Sequence, residues 1–147
     1  MTDASYKAKE WLNRKYKFSL LVDAEKRTLE ALSARLGATV SRYESDGTEC
    51  HDPDKARARH EDTLLEYSEQ KAKVEKDERE LLIENSKTRA AIGQLSDPVQ
   101  QAVAIDRYIN RLRWDDIAKL NHFSVAHVKR IHGSMLEKMA TIYKDFE

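Results

Sequence analysis

The sequence is poor in the residues that interrupt helices. Its 147 residues include only 4 glycines and 2 prolines, so long stretches contain nothing that breaks backbone hydrogen bonding. A single cysteine, Cys50, excludes an internal disulfide framework and gives no sign of a secreted, bridge-stapled domain. No run approaches the roughly 20 apolar residues of a membrane span. The N-terminus, MTDASYKAKEWLNRKYK, is charged throughout, with no apolar core of signal-peptide length. A soluble, cytoplasmic protein without a membrane partner is expected. Net charge is also missing, because 26 Lys and Arg balance 26 Asp and Glu. No global field gathers a polyanion, and any affinity for nucleic acid has to be local.

The motifs of catalysis are absent as well. There is no Gly-rich phosphate loop, no nucleophile elbow and no convergent pair of carboxylates. Cys50-His51 offers two metal ligands, but no second pair stands at zinc-like spacing. His127 and His132 are five apart on one expected helix and do not share a face well. An enzyme, a metal site and a cofactor are therefore not expected.

What is present is charge in both signs, 35% of the chain, with a mean hydropathy of −0.76. That profile belongs to long helices and coiled coils rather than to sheets. From about Asp3 to Tyr43, Trp11, Phe18, Val22, Leu29, Leu32 and Leu36 follow heptad-like gaps, with Tyr43 in phase and with Lys15 and Glu25 as interruptions. Leu12, Leu20 and Leu21 widen that stripe. The polar run Glu44–Pro53 breaks it, and Asp52 then caps a second helix that opens on Pro53. This helix runs to about Ile92, with its seam at Leu64, Tyr67, Val74, Leu81 and Ile92, and with Lys71, Glu78 and Asn85 weakening it. The short connection favours an antiparallel hairpin. Neither seam is satisfied by one partner, so a homodimer or higher oligomer through the hairpin is expected.

Gly93-Gln94 closes the second helix, and Asp97-Pro98 opens a third over Pro98–Asn110, with Gln100 completing a capping box and Val99, Ala102, Val103, Tyr108 and Ile109 inward. The expected fold is all-α: residues 1–93 form a long N-terminal helical hairpin, coiled-coil-like, and residues 94–147 a small helix-turn-helix domain. Trp114–Met139 carries that motif. Ile117 and Leu120 face a core, Ala118 permits close crossing, Asn121-His122-Phe123 makes the turn, and Ser124 caps the second helix. Val128, Ile131, Met135 and Met139 recur on its buried face, with Leu136 at the edge. By subtraction, Ala126, Lys129, Arg130 and Gly133 form an outward stripe at i, i+3, i+4 and i+7, in a stretch, Ser124–Leu136, that has no acid. His127 and His132 flank it. Two cations between small residues suit a helix laid in the major groove of double-stranded DNA, where they reach phosphates or guanine edges.

Trp114–Met139 resembles region 4 of bacterial sigma-70 factors, aligning without a gap. Asp115-Asp116-Ile117-Ala118-Lys119 matches the acid-acid-aliphatic-small-basic pattern of that family's first helix, and Ser124 stands where it has a capping Thr. With Asp106-Arg107-Tyr108-Ile109 ahead of it, the run is more similar still to phage-encoded late-transcription regulators of the ArpU-like type. The resemblance implies a sequence-specific transcription regulator acting in a bacterial host cell, with Ser124, Val125, Ala126, His127, Lys129, Arg130 and Gly133 as DNA-binding residues and RNA polymerase as a possible partner. The sigma family typically has Arg and Glu where this chain has Val125 and Ala126, so recognition of a −35 element does not carry over. A thymine methyl read by Val125 or Ala126 is one alternative. Two other readings stand beside this one: an adaptor that binds RNA polymerase or another phage or host protein, and a protein like the small subunit of a DNA-packaging terminase.

Overall fold

A computed structural model describes residues 2–45 and 53–147, apart from the side chains of 39–45. Gly47, Cys50, His51 and Asp52 of the expected first turn lie outside the described residues, as does the side chain of Tyr43. Among the described residues every regular element is helical. The helices are α1 Asp3–Asn13, α2 Tyr16–Ser45, α3 Pro53–Gly93, α4 Pro98–Ala104, α5 Trp114–Asn121 and α6 Val125–Ile142. A π-helical turn, Ile105–Ile109, follows α4, and a 3₁₀ turn, Tyr143–Phe146, follows α6.

The expected first helix is divided in two. No Pro or Gly marks the break; Arg14 makes it. Its Nη1 donates to the Trp11 carbonyl at 2.8 Å and to Thr88 Oγ1 at 3.0 Å, its Nη2 to the Glu84 carbonyl at 3.0 Å, and its Nε to Glu84 Oε2 at 3.3 Å. The guanidinium also lies 4.0 Å from the Trp11 ring centroid. Such a fork of donors over an aromatic face holds a backbone position that local propensity would leave helical.

The chain divides into two compact units, Met1–Tyr16 with Leu82–Glu147, and Lys17–Leu81. This division does not follow the boundary at 93/94 expected from the sequence, because both α1 and the end of α3 share a core with the C-terminal helices. Trp11, expected in the hairpin seam, instead packs with Leu12, Ile92, Met135, Met139 and Tyr143, its ring centroid 6.0 Å from that of Tyr143.

The second unit is an antiparallel hairpin of α2 and α3. Lys26 meets Glu78 at 2.8 Å, whereas Thr28, Ala31, Leu32 and Arg35, later on α2, line one cavity with Glu66, Glu69, Gln70 and Lys73, earlier on α3, so rising numbers on α2 meet falling ones on α3. Val22, Leu32 and Val74 are buried, with Phe18, Leu29, Leu36, Tyr67 and Leu81 half-buried beside them. Leu64, expected in the seam, is turned outward. Glu25 is buried in the seam, where burial, then the nearby Asp77 carboxyl, raise its pKa against the pull of Lys73, 3.5 Å away.

Candidate nucleic-acid interface

The helix-turn-helix is built by three local devices. Asp97 accepts from the Val99 N–H at 2.9 Å and starts α4 on Pro98. Gln100 does not close a capping box: it is buried and its Oε1 has no hydrogen-bond partner. After α5, His122 adopts a left-handed φ of 57°. The Phe123 N–H then bonds the Ala118 carbonyl at 2.9 Å and the His122 N–H the Lys119 carbonyl at 3.3 Å, a Schellman closure made on histidine instead of glycine. Ser124 caps α6, its Oγ accepting from the His127 N–H at 3.1 Å.

A small core holds the motif together: Val103, Ile117, Ala118 and Val128, with Leu112, Trp114, Phe123, Val125 and Ile131 against it. Leu120 is not part of it and is 64% exposed. Phe123, turned back by the left-handed His122, covers the cluster in its stead. Val99 is likewise exposed rather than inward. Further along α6, Met135, Leu136, Met139 and Ala140 are buried in the larger core with α1, so Leu136 lies inside and not at an edge.

His132 also differs from the sequence reading. It does not flank an outer face but lies buried, 8% exposed. Its Nε2 is 2.6 Å from the Tyr108 hydroxyl, and its ring meets the Trp114 edge at a centroid distance of 4.7 Å. Burial, reinforced by Lys9 and Arg107, lowers its pKa to about 4. Burial raises that of Tyr108. Near neutral pH a phenol and a neutral imidazole therefore share this hydrogen bond. A signal for this burial exists in the sequence: His132 stands four residues from both Val128 and Leu136, within the apolar stripe. The π-helical turn, closed by the Asn110 N–H on the Ile105 carbonyl at 3.0 Å, carries Tyr108 inward to the histidine. Arg107 braces the turn, donating to the Leu112 carbonyl at 3.0 Å and stacking 4.3 Å over Trp114.

The expected DNA-binding residues divide accordingly. Ser124, Ala126, His127, Lys129 and Arg130 are exposed, whereas Val125 is half-buried against the small core and is less free to read a base edge. His127 stands edge-on to Phe123 at 4.9 Å. Lys129 and Arg130 have no acid within ion-pair distance among the described residues. Gly133 is half-buried, yet a Cβ built there meets nothing within 4 Å. Two exposed cations on neighbouring segments do not stand out in the sequence pattern, Arg113 at the start of α5 and Lys119 within it. No cluster of three or more His, Cys, Asp or Glu among the described residues is suited to a metal ion, and no helix there is long and apolar enough to cross a membrane. Comparison with protein-family models, curated proteins and solved structures finds no match.

Proposed function

We propose that this chain is a sequence-specific DNA-binding transcription regulator that lays α6 in the major groove, of the phage late-regulator kind that its C-terminal motif resembles. The observation that carries the reading is the outer face of α6. Lys129 and Arg130 stand exposed, and without an ion-pair partner among the described residues, on a helix whose opposite face is anchored in two cores. In a chain of zero net charge, cations left free on one rigid helix are available to phosphates and base edges. The capped, tightly turned entry through His122 and Ser124 fixes the start of that helix, where a recognition helix meets DNA.

The test is a shift assay on DNA from upstream of the protein's own gene, at several salt concentrations. Lys129→Ala and Arg130→Ala each lower affinity, and a side chain that pairs with one phosphate takes about 1 off the salt slope when it is removed. Unchanged binding by both variants, with the fold intact, would refute the assigned face. An adaptor role for the same surface would appear as no DNA binding at low salt together with capture of RNA polymerase.

A further inference from the structure

The outer side of α3 carries a second, unused apolar seam. Leu64, Leu65, Leu82 and Ile83 are 42%, 60%, 64% and 59% exposed. The two pairs are 18 residues apart, which at 3.6 residues per turn is five full turns, so both return to one side of the helix. Between them Ser68, Ala72, Glu75 and Arg79 continue the stripe at alternating gaps of three and four, a heptad pattern. All four are exposed. Val74, which is buried against α2, points elsewhere. The hairpin unit itself buries few apolar side chains, chiefly Val22, Leu32 and Val74 among the described residues, a thin core for two long helices.

We infer that a second copy of this chain docks along this seam, antiparallel, with residue i of one α3 opposite residue 147 − i of the other. The stripe is complementary to its own reverse. Leu65 then meets Leu82, Leu64 meets Ile83, and the small Ala72 leaves room for Glu75. On the flanks Glu69 comes beside Lys76, opposite charges at nearly equal heights. A two-fold axis makes every pair twice, so the seam supplies both halves of its own interface. A different protein would have to reproduce this charge order; a second copy already has it.

The inference is independent of DNA binding and is tested without DNA, by measuring the mass of the full chain in solution across a wide concentration range. Wild type is a dimer. Leu65→Glu is a monomer with unchanged helical circular dichroism, since Leu65 is exposed in the single chain. Glu69→Lys and Lys76→Glu each raise the dissociation constant by roughly tenfold, and the double reversal returns it towards wild type. Lys129→Ala leaves the mass unchanged, which separates this interface from the DNA face. A monomeric wild type, a dimer indifferent to Leu65→Glu, or a double reversal weaker than either single change would overturn the inference.

Discussion

The buried His132 makes acid stability a sharp test of the packing around α6. In the folded state its pKa is lowered from 6.5 to about 4. Unfolded chains therefore bind a proton over that interval that folded chains refuse, so stability falls as pH falls. The contribution is fully present above pH 6.5 and is lost as pH drops through about 4. An interval of about 2.5 pH units, at about 1.36 kcal/mol each, is worth roughly 3 kcal/mol, a large share of an ordinary domain's stability. Glu84 adds to the loss only at lower pH: burial works against its charge, but Lys87 and Arg14 hold its pKa below 4.5, so its contribution goes as pH falls beneath that value. Glu25, with its pKa raised, acts in the opposite sense; its contribution is present below pH 4.5 and lost as pH rises. Urea unfolding followed by near-ultraviolet circular dichroism, repeated from pH 7 to pH 4, isolates the histidine when wild type is compared with His132→Gln. The variant starts less stable, having lost ring packing on Trp114, but its stability no longer falls as pH drops from 6.5 to 4.5, where only the opposite, Glu25 effect remains. Parallel slopes in the two proteins would refute a neutral, buried His132.

Three further outcomes follow from the same geometry. Gly133→Ala raises the thermal stability of the free protein by about 0.5–1 kcal/mol, because the new methyl meets open space in a helix; on the proposed function it also weakens DNA binding, and a variant less stable than wild type would contradict the open space. His122→Gly relieves the left-handed backbone and stabilises by about 1 kcal/mol in denaturant titration, while His122→Val destabilises. A fragment of residues 94–147 does not fold cooperatively, since it lacks Ala8, Trp11, Leu12, Ala91 and Ile92 of the core around Met135 and Met139; a sharp thermal transition in that fragment would count against the shared core.

Signals carried by neighbouring residues are legible in the sequence. The Pro53 and Pro98 helix starts, the Asp97 and Ser124 caps, and the inward Val128, Met135 and Met139 all follow from spacing or backbone chemistry within a few residues. Features decided by distant partners are not. The break after Asn13 depends on Arg14 reaching Glu84 and Thr88, some 70 residues away, and heptad spacing through Trp11 gives no hint of it. His132 has a polarity that suggests solvent, while Tyr108, brought in by an irregular turn, supplies the partner that lets it be buried. Leu120 has an apolar side chain in a periodic position, yet the turn of chain at His122 gives its place to Phe123. On the candidate DNA face the exposed cations emerge by subtraction, but the half-burial of Val125 requires the neighbouring core to be known.

One unit of this protein is closed by α1 and α6, helices far apart in the sequence. α1 is synthesised well before α6, and the α6 side chains that share its core begin at Met135. At about 5–20 residues per second, the 122 residues from Asn13 to Met135 take on the order of ten seconds to make. Until then Ala8, Trp11 and Leu12 lack Met135, Leu136 and Met139, the α6 part of their core. α1 is thus a waiting part, its apolar face open to proteases and to unintended partners until α6 arrives. A tag or fusion that delays its docking would impair the unit carrying the candidate DNA face, although it is attached at the far end of the sequence.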